Sequence, residues 1–207
     1  MHTKNWKQAG VKPGPGIKVL VMIHGRGAGA DDILSIAEHL NVNDFSLIAP
    51  EATNNTWYPY SFLAPPKQNE PFLSSALANL KELTDELNKK GIRDEDIYFL
   101  GFSQGACLTL EYTTRNAKRY GGIVAFTGGL IGDQIYYENY SGDFGGTPVF
   151  IGTSDPDPHV PVARAAASAE LVKSMGADVI FKIYPGMGHT ISGDEIRIAN
   201  EKIFGAR

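Results

Sequence analysis

The chain has 207 residues, 43% of them apolar and 20% charged, with a formal net charge of −4. That length suits a single domain over 1–207, which would bury roughly 70% of its unfolded surface. The acidic balance offers no basic block to neutralise phosphates, which argues against nucleic acid as a partner, and no apolar run approaches the ~18 residues of a membrane span. One cysteine, Cys107, excludes an internal disulfide framework; with no apolar leader after Met1-His2-Thr3-Lys4, a reducing, cytoplasmic setting is expected.

Residues 1–16 are polar, end in Pro13-Gly14-Pro15-Gly16, and read as an arm or edge strand leading into a turn. Residues 17–23 are apolar at nearly every position, the pattern of a strand covered on both faces. The loop His24-Gly25-Arg26-Gly27-Ala28-Gly29-Ala30 follows, then a helix with Asp31 or Asp32 as N-cap and Ile33, Leu34, Ile36, Ala37 and Leu40 on one face. A short strand over 46–49 leads into residues 50–70, which contain four prolines and Trp57-Tyr58-Pro59-Tyr60-Ser61-Phe62 but no periodicity. Irregular stretches of that length are usually lids, binding loops or disorder, and the aromatics argue against disorder.

Residues 71–90 form the longest expected helix, with Leu73, Leu77, Leu80, Leu83, Thr84 and Leu87 on one face and Gly91 as the stop. The strand from Asp96 to Leu100 runs into Gly101-Phe102-Ser103-Gln104-Gly105 and a helix over 104–118. Strand, sharp turn and helix in that order make a nucleophile elbow, a strained turn that lifts the Ser103 hydroxyl above the sheet edge. Further strands are expected at 122–126, 148–152 and 179–184, with an irregular stretch at 127–146, a loop at 153–161 and a helix at 162–175. The loop Pro185-Gly186-Met187-Gly188-His189 precedes a last helix starting near Ser192. This alternation predicts a mostly parallel, doubly wound α/β sheet with its ligand site at the carboxyl ends of the strands.

A serine nucleophile needs a histidine base, and the histidine needs a carboxylate to orient it. In elbow enzymes the order along the chain is Ser, acid, His. Of five histidines only His159 and His189 follow Ser103. His189, on a glycine-rich loop after the last strand, is the expected base. The acid belongs on the loop at 153–161, where Asp155 and Asp157 both qualify: Asp157 is mounted between two prolines, and Asp155 is suited to bonding its own turn. Asp133 and Asp143 read as solvated. The oxyanion formed at an attacked carbonyl needs two backbone N–H groups, expected from Gln104 and, in the loop after the first strong strand, from Arg26. His24 reads as a hydrogen-bonder holding that loop. No cysteine cluster or His-x-x-x-His pair exists, so no metal or organic cofactor is called for.

Four motifs together, His24-Gly25-x-Gly27, Gly101-Phe102-Ser103-Gln104-Gly105-Ala106, Asp157-Pro158-His159-Val160-Pro161 and Gly186-Met187-Gly188-His189, resemble the phospholipase/carboxylesterase family, the acyl-protein-thioesterase-like serine hydrolases of the α/β-hydrolase fold. The resemblance covers about 17–203. It implies Ser103 as nucleophile, Asp157 rather than Asp155 as acid, His189 as base, and the N–H groups of Arg26 and Gln104 as the oxyanion hole. It also likens Thr56-Trp57-Tyr58 to the family's aromatic loop beside the active site. Trp57, Tyr58, Tyr60 and Phe62 are candidates for the wall of an acyl or aromatic pocket, and ordinary packing explains such a cluster equally well. Members usually carry an apolar residue where Arg26 stands, and their chains begin with additional strand structure. The guanidinium predicts a taste for anionic substrates.

The expected activity is hydrolysis of small soluble carboxylic or thio esters through an acyl-enzyme on Ser103, faster as pH rises and His189 loses its proton. The alternatives are a lysophospholipase or acyl-protein thioesterase, and, from another class, a non-catalytic binding protein on a hydrolase scaffold. Action at a membrane surface is not expected, for want of a cationic amphipathic helix. A homodimer is compatible with the sequence, and nothing in it selects one.

Overall fold

The structure, a computed structural model, describes residues 1–205. Seven strands form one sheet in the order β1-β3-β2-β4-β5-β6-β7. The strands are β1 (Trp6–Gly10), β2 (Val19–Ile23), β3 (Ser46–Pro50), β4 (Ile97–Phe102), β5 (Gly122–Phe126), β6 (Pro148–Asp155) and β7 (Asp178–Pro185). All neighbouring pairs run parallel except β1, which lies antiparallel against β3. The N-terminal arm is therefore an edge strand. Among the described residues no helix is long and apolar enough to cross a membrane.

The central strands are apolar at successive positions because each face packs on helices. Val19, Val21 and Ile23 of β2, with Ile97 and Phe99 of β4, join a core with α2 (Phe72–Lys89), α3 (Gln104–Arg115) and α4 (Val162–Ser174). Leu20, Met22, Tyr98 and Leu100 point the other way, toward α1 (Ala30–Ser35) and α5 (Gly193–Ile198). All five side chains of β2 are fully buried.

Several boundaries differ from expectation for identifiable reasons. Gly29, not an aspartate, occupies the N-cap of α1, and the Asp32 carboxylate reaches back to accept its N–H at 2.7 Å. The α1 segment tightens into a 3₁₀ turn at Ile36–His39. Helix α3 stops at Arg115 because Asn116 turns its side chain onto the Tyr112 carbonyl, 2.9 Å away. Strand β6 continues through Asp155, three residues past the expected end, because β7 offers eight residues of parallel pairing. Helix α5 begins where the sequence places it, near Ser192, which serves as N-cap in a box completed by Glu195, and winds on as a π-helical stretch Ala199–Phe204.

The stretch 50–70 contains 3₁₀ turns at Thr53–Asn55 and Pro66–Asn69 and is tied down along its length. Asn54 and Asn55 take left-handed backbone conformations, which asparagine tolerates better than most residues. Asn55 accepts the Gly27 N–H at 2.7 Å and donates its side-chain amide to Ala28, joining this stretch to the loop after β2. The stretch 127–146 is held in turn by Arg164, whose guanidinium reaches the carbonyls of Leu130, Gly132 and Asp133. A Gly132 N–H to Phe62 carbonyl bond of 2.7 Å links the two long irregular segments.

Candidate active site

At the end of β4 the chain reverses within one residue. Ser103 has φ 54° and ψ −119°, a left-handed backbone that costs on the order of 1–3 kcal/mol for a residue with a Cβ. The turn needs both flanking glycines. A Cβ on Gly101 would run into the Gly105 carbonyl, and one on Gly105 into the carbonyls of Ile23 and His24. Helix α3 therefore starts directly against the end of β2, with Ser103 at its N-terminus.

His189 comes from the loop after β7. That loop is pinned by the Gly186 N–H on the Asp155 carbonyl and by the Gly188 N–H on the Ser154 hydroxyl, at 2.8 and 2.9 Å. The imidazole lies 2.8 Å from Ser103 Oγ through Nε2 and 2.8 Å from Asp157 Oδ2 through Nδ1. Because a carboxylate can only accept when ionised, Nδ1 carries the proton and Nε2 is left to accept the serine hydroxyl. Asp157 Oδ1 accepts two backbone N–H groups, from His159 and Val160, at 2.8 Å each. Its carboxyl side chain is fully buried, and that of His189 is 21% exposed. Burial of Asp157 opposes its ionisation, but the His159 N–H, the bond to His189 and the Val160 N–H outweigh it and hold the carboxyl below the usual range.

The geometry separates the two aspartates left open by the sequence. Asp157 meets His189, whereas Asp155 ends β6 as an exposed strand residue. Of the loop aspartates, Asp133 accepts from the Tyr136 hydroxyl and Asp143 from the Gly145 N–H, both at 2.7 Å at exposed positions. His24 is buried with Nδ1 on the Gly25 carbonyl at 2.8 Å and Nε2 accepting the Ala52 N–H at 3.0 Å, which fixes its neutral tautomer.

The backbone N–H groups of Arg26 and Gln104 have no protein acceptor among the described residues. Gly25 brings the first of these strands of chain close to the elbow: a Cβ there would lie 3.5 Å from Ser103 Cβ. The second is the first N–H of α3, where helix dipoles favour negative charge.

A cavity of about 640 Å³ opens over Ser103 and His189, lined by Tyr58, Phe62, Leu63, Phe102, Val160 and Pro161 among others. Cys107 also faces it, one helical turn below Ser103; burial pushes its thiol up to about 12, so it acts as a small apolar surface. Of the expected pocket residues, Tyr58 and Phe62 line the cavity and Tyr60 stands at its rim, 58% exposed. Trp57 does not line it. Its indole is fully buried between the rings of His2 and His24, with Nε1 donating to the His24 carbonyl at 2.9 Å. The Arg26 side chain, exposed at the cavity's lining, has its guanidinium donors turned to backbone: Nη1 donates to Pro59 and Nη2 to Tyr58 and Tyr60, all carbonyls 2.8–2.9 Å away.

Two contacts escaped the sequence. The His159 ring stands edge-on to His189 with centroids 4.9 Å apart, and the Phe102 ring tilts against the other side at 5.2 Å. Their spacing from Asp157 and Ser103 was visible, but the direction of either ring depends on how the elbow and the acid loop meet. Nor does the sequence signal the role of the Gln104 side chain, which accepts the Trp57 N–H and donates to the Tyr58 carbonyl, each at 2.9 Å.

Residues 11–204 match the family model described as Phospholipase/Carboxylesterase. A crystal structure of a phospholipase/carboxylesterase from Dyadobacter fermentans is 55% identical, superimposes with a TM-score of 0.96, and is matched over 98% of this chain and 97% of that one. A probable carboxylesterase, SOBER1-like, of Arabidopsis thaliana is 30% identical over 130 residues, 63% of this chain and 50% of its own. Acyl-protein thioesterase 1 of Gibberella zeae is 35% identical over 108 residues, 51% of this chain and 46% of its own. The chain thus spans about half the length of these curated relatives. Matched along almost its whole length by the family model, it belongs to the phospholipase/carboxylesterase family.

Proposed function

We propose that the protein is a serine hydrolase of carboxylic and thio esters that works through an acyl-enzyme on Ser103. The observation that carries this reading is the unbroken hydrogen-bonded chain Ser103–His189–Asp157, each link 2.8 Å, opening onto an apolar cavity. In the proposed cycle Ser103 Oγ attacks the substrate carbonyl carbon as its proton passes to His189 Nε2. Asp157 holds the Nδ1 proton and stabilises the imidazolium. The carbonyl oxygen becomes an oxyanion facing the N–H groups of Arg26 and Gln104. Collapse expels the alcohol or thiol with the proton from His189. A water molecule then attacks the acyl carbon by the same route, releasing the carboxylic acid and restoring the Ser103 hydroxyl.

The cavity wall supports an apolar acyl group. Tyr58, Phe62, Leu63, Val160 and Pro161 supply aromatic and aliphatic surface, and the one arginine at the rim is engaged by backbone carbonyls. The expected preference for anionic substrates is therefore replaced by one for neutral acyl chains; the volume suits a ligand of drug-like size. A panel of aryl esters and thioesters graded by acyl length tests this. Neutral aliphatic acyl groups should outrank dicarboxylate half-esters in kcat/KM, and the reverse ranking would contradict the assignment.

A further inference from the structure

The Tyr58 carbonyl oxygen accepts three side-chain hydrogen bonds, one from the nearby Thr56 hydroxyl at 3.3 Å and two from side chains that come from opposite sides of the site. Arg26 Nη2 reaches it at 2.8 Å and Gln104 Nε2 at 2.9 Å. These are the two residues whose backbone N–H groups face the proposed oxyanion. From this convergence we infer that the Arg26 and Gln104 side chains are positioning residues, which lock the two halves of the oxyanion hole to each other through the aromatic wall of the pocket. The inference rests on the proposed hydrolase chemistry.

Arg26 and Gln104 belong to different parts of the fold, the loop after β2 and the first turn of α3. Neither side chain touches the reacting serine in the hydrogen-bond network; both turn to the same stretch of backbone. Arg26 clamps the consecutive carbonyls of Tyr58, Pro59 and Tyr60, a set that its rigid fork of donors can span and a lysine ammonium cannot. Gln104 is 6% exposed and has both ends of its carboxamide satisfied, Oε1 by the Trp57 N–H and Nε2 by Tyr58. Removing that carboxamide would strand a buried backbone N–H, a costly defect. Trp57, wedged between two histidine rings, anchors the start of the same segment.

The segment that joins the clamps is also the pocket wall, since Tyr58 and Phe62 line the cavity. An acyl group that displaces Tyr58 must stretch both clamps and shift both oxyanion donors. Poorly fitting substrates should then be penalised in turnover more than in binding, because the donors act on charge present only in the transition state.

Arg26→Ala and Gln104→Leu keep both backbone donors and test the idea. Each should lower kcat about 10- to 100-fold while changing KM less than about threefold, and should weaken a boronic acid that mimics the tetrahedral adduct by a similar factor. Arg26→Lys should recover only part of the loss. The double variant should lose less than the product of the single losses, since both act through one carbonyl. Independently of turnover, amide hydrogen exchange at Trp57 should speed up in Arg26→Ala. Wild-type kcat and boronate affinity in Arg26→Ala, a loss confined to KM, or unchanged protection at Trp57 would each overturn the inference. A wild-type protein that hydrolyses no ester would instead sink the hydrolase reading, and the exchange experiment would still decide whether the clamp exists.

Discussion

At Ser103 a left-handed backbone is retained by a residue with a Cβ, against a cost of about 1–3 kcal/mol, and the hydroxyl it presents meets imidazole at 2.8 Å. The proposed roles translate into separate magnitudes. Ser103→Ala and His189→Ala should each reduce kcat on the order of 10⁶-fold, and Asp157→Asn about 10⁴-fold through loss of the correct tautomer, measured by steady-state ester hydrolysis. Equal losses in all three would argue that Asp157 does more than orient. The depressed Asp157 carboxyl adds stability that is full above its unfolded value and lost only as pH falls through the lower folded one. Acid inactivation in the mildly acidic range is accordingly not expected to come from Asp157. At this scale the sequence carried Ser103 and His189 on local pattern and chain order, and left Asp155 against Asp157 to family resemblance. The distinguishing fact, two backbone N–H groups of the following residues folded onto Asp157 Oδ1, belongs to a loop conformation that spacing does not encode.

Among the elements, the elbow and the aromatic segment govern the site. Gly105→Ala should prevent α3 from seating against the end of β2, because its Cβ meets the backbone carbonyls of Ile23 and His24, which cannot move away as a side chain can. Trp57→Ala should cost about 3–5 kcal/mol in urea unfolding, as expected for emptying a fully buried aromatic site. His24, which braces Trp57, is held below its ordinary pKa mainly by burial, with its hydrogen bond to the Gly25 carbonyl opposing. The unfolded chain takes up a proton below about pH 6.5 while the folded one resists, so stability should fall with acidification there and level off at the lower folded value. The slope from one such proton is at most about 1.4 kcal/mol per pH unit. Denaturant midpoints from about pH 7.5 to 5 should show it. His24→Gln should lower stability near neutrality and flatten the slope, and a variant as steep as wild type would remove His24 from the explanation. Strong periodicity made the sheet strands and α2 legible. The stretch 50–70 was legible as an ordered lid or binding loop but not in its fixity, which comes from partners 25 or more residues away such as Gly27, Gln104 and Arg26.

For the whole molecule, three loops at the carboxyl ends of β2, β4 and β7 and the continuation of β6 converge because a parallel sheet delivers all of them to one rim. Alternation of strands with helices made that rim predictable. What it did not give was the direction of side chains across the rim: Trp57 lies in the core rather than in the pocket, and Arg26, at the cavity's lining, grips backbone carbonyls. Both outcomes turn on tertiary contacts with segments distant in sequence. The central claim, an activated serine at the mouth of that cavity, is open to one direct measurement. Incubated with a fluorophosphonate probe, the protein should become labelled once per chain at Ser103, lose ester hydrolysis in step with labelling, and show neither labelling nor turnover as Ser103→Ala. Sustained hydrolysis by correctly folded Ser103→Ala would contradict the account.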